Sequence, residues 1–405
     1  MSRDKPHMIL HIGAPKCGSS ALQTVLSMTP DLQDRSGNTY RYTALQASLG
    51  ALDVCYGRAL TRSAHLSSYG YATWPNFAPQ VTATNVFIAM LQTMKRGQTK
   101  GHIPILSCEG WIAHHALFAQ SLSEWGYPPV DVVVFLRPVV DWTNAAFWQW
   151  GIWSCPDIDR WLARNKMSTN FGRDIAAWAQ IPNVRVIVRS MRPNVISAFG
   201  LLYDLPLSLE KRSNTASPPA LIGFLLRNRK FRITGHDAST EFVVQRWCNP
   251  IEHSSKLWAL KPKHLHNLRP VVNDTLTTLR KVMPSQEFEM LLSDPGWTSE
   301  EPYHPAILAG LTNLTDPEPY EAFYKEICAG MKRAFDVSMS QSLECPSPPG
   351  SLASVEDWDR VIAPVLDMLL KADGRIRYNT LPFWQRKIAP YIGKPGQSYG
   401  IVPKI

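Results

Sequence analysis

Residues 11–20 read H-I-G-A-P-K-C-G-S-S, and this short stretch decides the fold class. Gly13 and Gly18 keep the glycine spacing of a Walker phosphate loop, G-x-x-x-x-G-K-[ST]. Ser19 stands where that loop has its lysine, and Lys16 lies inside the loop instead. Before it, the apolar run Met8–Ile12 suits a buried parallel strand. After it, S-S-A-L-Q-T-V-L-S-M places Leu22, Val25 and Leu26 at helical spacing. The unit therefore reads strand, glycine loop, helix. Glycines let the backbone curl until successive N–H groups point inward, and the following helix adds its dipole. Ser19 and Ser20 add hydroxyls and Lys16 a mobile cation. Residues Gly13, Ala14, Pro15, Lys16, Cys17, Gly18, Ser19 and Ser20 thus form an anion cradle. Without G-K-[ST], the γ-phosphate lysine and the register of the magnesium-binding hydroxyl are missing, which argues against ATP hydrolysis.

Further strands are expected at 103–107, 132–136 and 184–188, and helices at 85–94, 110–122, 170–180 and 193–203. Strands alternating with helices predict a parallel sheet covered on both faces. The expected fold is α/β, a P-loop-type three-layer sandwich over residues 1–295. Residues 30–80, rich in Ser, Thr, Gly, Asn and Tyr, read as irregular loops. Beyond about residue 215 every periodic segment reads as helix. Residues 296–405 form a mainly helical C-terminal extension, with a Pro/Ser-rich linker at 343–352.

Across 405 residues, 45% hydrophobic content and 14 tryptophans predict a sizeable core and exclude a mainly disordered chain. No apolar run approaches the roughly 18 residues of a membrane span. Met8–Ile12 is too short for a signal peptide, so a cytoplasmic protein is expected. Seven cysteines without a C-x-x-C pair fit reduced thiols better than disulfides or zinc. The net charge of +9 favours an anionic partner. Its basic patches, such as Lys211-Arg212 and Lys261-Pro-Lys263, are short. That favours a charged small molecule over a nucleic acid.

The stretch G-A-P-K-C-G-S-S-A-L-Q resembles the 5′-phosphosulfate loop of the sulfotransferases, including its proline and displaced lysine. These enzymes move a sulfuryl group from 3′-phosphoadenosine-5′-phosphosulfate (PAPS) to an alcohol or amine. The family's 3′-phosphate grip, an Arg ending a strand and a Ser in the next helix, is echoed by Arg137 in V-V-V-F-L-R-P. The serine position is Ala145 here, and Asn144 beside it offers an amide. I-L-S-C-E-G (105–110) and K-R-S-N-T-A-S-P-P-A-L (211–221, with Arg212) resemble two further family segments. The resemblance implies a PAPS donor, adenosine 3′,5′-bisphosphate as product, no metal, and a hydroxylated acceptor such as a saccharide, glycolipid or small metabolite. It also implies that Lys16 and the loop stabilise the leaving 5′-phosphate.

The acceptor's proton needs a base. Glu109, at a strand's C-terminal end, comes first, with His114 and His115 next and His65 third. Trp142, Phe147, Trp148, Trp150 and Trp153 fall largely on one helical stripe and read as core. Two rivals remain open: another P-loop small-molecule kinase, or a nucleotide-binding scaffold that has lost catalysis.

Overall fold

The computed structural model describes residues 6–48, 51–76, 91, 101–165, 170–208, 217–251, 256–338, 344–350 and 353–381. Its strands are β1 (Met8–His11), β2 (Asp31–Gln33), β3 (Thr39–Ser48), β4 (Ala51–Tyr56), β5 (His102–Ser107), β6 (Val130–Leu136) and β7 (Val184–Ser190). They make one sheet in the order β2-β3-β5-β1-β6-β7, with β4 also pairing on β3. The pairs β3–β5, β5–β1, β1–β6 and β6–β7 are parallel, while β2 and β4 run antiparallel to β3. Taken in chain order, the five parallel strands are therefore arranged 2-3-1-4-5.

Every residue of β1 and β6 is buried, as expected for apolar strands covered on both faces. From β1 the chain first builds outward through β3 and β5, then crosses to β6 and β7. The C-terminal end of β1 is thus a topological switch point, where open parallel sheets leave a crevice for ligands.

Helix α1 (Ser19–Met28) follows the glycine loop, and α2 (Gly57–Leu66) follows β4. Next come α3 (His115–Glu124) and α4 (Val139–Ala146). A π-helical turn, Phe147–Gly151, and one more helical turn, Ile152–Ser154, prolong α4. The remaining helices are α5 (Ile158–Arg164), α6 (Phe171–Ala179), α7 (Val195–Tyr203), α8 (Pro219–Arg227), α9 (Ser239–Trp247), α10 (Pro262–Val282), α11 (Ser285–Leu292), α12 (His304–Ala309), α13 (Glu318–Ser338) and α14 (Val355–Asn379). After β7, no strand occurs among the described residues.

The C-terminal helices α13 and α14 pack on each other and on α8 and α9. Arg227 on α8 pairs with Asp359 on α14 at 2.8 Å, and Arg246 on α9 with Asp373 at 2.5 Å. Buried residues on both sides of residue 295 belong to one continuous core.

Residues 30–80 depart from the expectation of irregular loops, since they hold β2, β3, β4 and α2. The reason is visible in T-Y-R-Y-T-A-L, whose Tyr40 and Tyr42 are buried while Arg41 between them is half-buried and paired with Asp31. Tyrosine and threonine suit a pleated surface despite their polarity. The helix expected from 110 opens as a 3-10 turn, Trp111–His114, before α3. The helix expected at 85–94 lies outside the described residues apart from Leu91. Within 343–352, residues 344–350 are neither helix nor strand. Among the described residues, no helix is long and apolar enough to cross a membrane.

Candidate functional site

At the switch point the chain leaves β1 through a loop with three residues of positive φ: Gly13 at 38°, Lys16 at 63° and Gly18 at 88°. A Cβ on Gly13 would fall 2.6 Å from the Ser19 Oγ, and one on Gly18 would fall 2.7 Å from Val195 Cγ1 of α7. Both positions therefore demand glycine. Lys16 is not a glycine, and a left-handed backbone costs an L-residue about 1–2 kcal/mol. Such strain persists only where surrounding contacts over-determine it. Here they do. The Trp142 indole donates to the Pro15 carbonyl at 2.7 Å, the Arg137 guanidinium donates to the Lys16 carbonyl at 3.2 Å, and the Gly110 N–H donates to the Gly13 carbonyl at 3.3 Å.

Beneath the loop, His11, Ser107 and Gln23 form a buried polar network. His11 Nδ1 meets the Ser107 hydroxyl at 2.7 Å, and Gln23 Nε2 donates to the same oxygen at 3.0 Å. Burial lowers the His11 pKa to about 4, so the ring is neutral near pH 7.

Charge gathers above this floor. Lys16 Nζ donates to Gln149 Oε1 of the π turn at 3.1 Å. Desolvation lowers the Lys16 pKa and repulsion from Arg137 and Arg232 adds to the effect, while Glu109 opposes it. Glu109 is half-buried at the end of β5. Desolvation raises its pKa, against the pull of Lys16 and a hydrogen bond from that residue's backbone. Burial pushes the Cys17 thiol up to about 12, so it is a packing residue rather than a nucleophile. Among the described residues, seven buried side-chain polar atoms lack a partner; two of them, the Ser19 Oγ and the Arg137 Nε, lie at the loop, and a third, His11 Nε2, lies in the floor beneath it. Such orphans are rare in folded proteins and ask for an explanation. A ligand with anionic groups at the loop and beside Arg137 would satisfy the first two.

The structure brings most residues singled out in the sequence together. The loop 13–20, Glu109 and Arg137 meet at one place. Asn144 has a structural job: Nδ2 donates to the Leu257 carbonyl at 2.9 Å, and Oδ1 accepts from the Ala259 N–H at 2.9 Å. His114 meets Asn76 at 3.1 Å, and His115 interacts electrostatically with Asp174 of α6. His65 is exposed on α2, bonded to the Thr61 carbonyl at 2.8 Å. It lines a groove of about 510 Å³ formed with Met28–Asp31, beyond the C-terminal end of α1. Arg212 lies outside the described residues. Trp142, Phe147, Trp148 and Trp153 are buried as expected, but Trp150 is half-buried.

Three members of the site escaped the sequence reading. Gln149 and Arg232 have no local signature, because Gln149 meets the loop at distant Lys16 and Arg232 reaches the site only through the distant Gln149 carbonyl. Arg232 is only 1% exposed, paired with Glu241 and packed 4.0 Å from the Trp153 ring. Its Nη2 donates to the Gln149 carbonyl at 2.7 Å. Tyr71 accepts from the Ser20 hydroxyl at 3.5 Å, from a region read as featureless. Compared with known proteins, the chain matches no family model, no curated protein and no solved structure.

Proposed function

We propose that this chain is a PAPS-dependent sulfotransferase acting on a hydroxylated acceptor, with a P-loop-type fold. One observation carries the reading: a strained glycine loop at the switch point where Lys16, Arg137 and the unpartnered Ser19 hydroxyl converge. Lys16 within the loop, rather than after it, matches the sulfotransferase pattern and not the kinase pattern. The 2-3-1-4-5 order of parallel strands is compatible with the proposed fold.

PAPS supplies an activated sulfuryl group and a phosphate leaving group. The residues fit it: loop amides, Ser19 and Ser20 hold the 5′-phosphate, and Lys16 neutralises the charge that grows there during transfer. Arg137 takes the 3′-phosphate in this reading, with the guanidinium nitrogens that the Lys16 carbonyl leaves unengaged. Glu109, with its raised pKa, takes the acceptor's proton. In-line transfer forms an S–O bond at the acceptor oxygen and breaks the S–O bond to the 5′-phosphate. Positioning and electrostatics carry such a reaction.

A second reading, a nucleotide-binding protein without transfer activity, is favoured by the neighbourhood of Arg137. Position 145 is alanine, and the Asn144 amide is held by residues 257–259.

Calorimetric titration of adenosine 3′,5′-bisphosphate, with adenosine 5′-monophosphate and ATP as controls, tests the donor site. The expected result is binding that depends on the 3′-phosphate and falls at least about tenfold in Lys16→Ala and Arg137→Ala, as for one charge-assisted contact. Preference for ATP, or no binding, would overturn sulfuryl transfer. Binding without PAPS turnover, across acceptors, would favour the second reading.

A further inference from the structure

Large aromatics in this chain are mostly interior: Trp74, Trp111, Trp178 and Trp297 are among its most deeply buried side chains. Beside the glycine loop the pattern breaks. The Ser20 hydroxyl donates to the Tyr71 hydroxyl, and the Tyr71 ring meets Phe242 edge-on at 5.8 Å. Tyr69 lies 6.0 Å from Tyr71 and 5.1 Å from Phe242. Its hydroxyl donates to the His236 carbonyl at 3.5 Å. The His236 ring in turn lies 6.4 Å from Trp150 at an angle of 31°. Trp150 directly follows Gln149, the partner of Lys16. The contacts therefore leave the loop at Ser20 and return to it at Lys16.

None of these residues is buried: His236 is exposed and the others are half-buried. They come from segments far apart in the chain, the stretch before β5, the π turn and the start of α9, so local sequence does not explain their meeting. A core cluster would hide its rings, and this one shows them to solvent next to three cations. Half-exposed aromatics with polar tips suit a ligand that has an apolar face and a hydroxylated edge.

We propose that this aromatic wall is the acceptor subsite and that its occupant is a saccharide, an assignment that rests on the sulfuryl-transfer reading of the loop. The C–H face of a sugar ring lies on Trp150 and Phe242, while the Tyr69 and Tyr71 hydroxyls and the His236 imidazole meet its hydroxyls. A phenolic acceptor would call for a dry apolar slot, which partly solvated tyrosines and an exposed histidine do not supply. The wall ends at Lys16, so a ring resting on it presents a hydroxyl to the loop. Its oxygen forms the new S–O bond, the bond to the 5′-phosphate oxygen breaks, and its proton passes to Glu109.

The test is saturation-transfer NMR on the full chain with cellobiose, lactose and N,N′-diacetylchitobiose, using 2-naphthol as the phenolic control. The same samples are titrated with adenosine 3′,5′-bisphosphate. At least one disaccharide should receive saturation and bind about tenfold more weakly in both Trp150→Ala and Phe242→Ala, the size of one lost stacking contact. Nucleotide affinity should change less than about twofold in these variants, which also reports that they fold. Saturation of 2-naphthol alone, of no probe, or of a disaccharide equally in wild type and both variants would overturn the wall. Disaccharide binding that needs Trp150 and Phe242, in a protein that binds no nucleotide, would uphold the wall and overturn sulfuryl transfer.

Discussion

The two ends of the central sheet handle buried charge in opposite ways. Near the start of β6, Asp131 is 4% exposed, yet fully engaged. Arg185 grips both carboxylate oxygens, with Nε donating at 2.8 Å, and the Tyr203 hydroxyl donates at 3.1 Å. At the other end, Lys16, with Arg137 beside it, faces Glu109, Arg232 keeps its own pair with Glu241, and the buried Ser19 Oγ and Arg137 Nε lack partners. The first arrangement has its hydrogen bonds made. The second leaves polar atoms unsatisfied, as a site for an anion would. A charge cluster with satisfied geometry holds a fold together, and one with orphaned atoms is prepared for a ligand.

Substitutions at the two ends should therefore fail differently. The largest effect is expected at the unfinished end, where Glu109→Gln should slow PAPS turnover by about 10²–10⁴-fold with little change in melting temperature. The carboxylate is the active form, and desolvation raises its pKa above the ordinary 4.5. As pH falls through that raised value, Glu109 takes up a proton and the rate drops. The acid limb of a pH–rate profile should thus lie above 4.5 in wild type and vanish in the glutamine variant.

Asp131→Ala, at the completed end, should act on stability instead. Leaving Tyr203 and Arg185 without their partner should cost about 3 kcal/mol, toward the lower end for a broken buried pair because Arg185 is 44% exposed. Urea denaturation would measure this, and adenosine 3′,5′-bisphosphate affinity should stay near wild type. If Asp131→Ala abolished nucleotide binding in folded protein, the contrast between the two ends would collapse.

The smallest effect concerns the floor under the loop. His11 is 0% exposed and its pKa is depressed from 6.5 to about 4. Above pH 6.5 the ring is neutral in both folded and unfolded chains, and its contribution is intact. As pH falls from there toward 4, the unfolded chain takes up the proton first and stability is lost. By pH 5 the loss should reach about 2 kcal/mol, at 1.36 kcal/mol per pKa unit. Urea midpoints at pH 7 and pH 5 would show it, and His11→Asn should flatten the dependence.

What could be read in the sequence followed from proximity along the chain. Strand β1, the glycine loop and α1 are adjacent, so hydrophobic runs and glycine spacing suffice to place them. Strands β5, β6 and β7 are apolar throughout their cores and announce themselves. The β2–β4 edge did not, because β2 is only three residues long and the first half of β3 fills its buried positions with tyrosines and threonine, which also populate loops. Glu109 and Arg137 were legible as strand-end residues, a rule about parallel sheets rather than about these side chains. Gln149 and Arg232 were not, since contacts such as Lys16 to Gln149 are made only when the sheet closes. Asn144 was legible as a polar residue near Arg137, but its partners at Leu257 and Ala259 could not be foreseen.

The π turn at Phe147–Gly151 gives the helix one residue of slack. An α-helix advances about 100° per residue, so removing one residue there would restore regular winding and rotate the two flanking segments relative to each other by that angle. Upstream, Trp142 holds the loop by Pro15, and downstream Trp153 stacks on Arg232. Both anchors cannot keep their partners in a helix of regular pitch. The length of this helix, more than the identity of any side chain on it, fixes where Gln149 points.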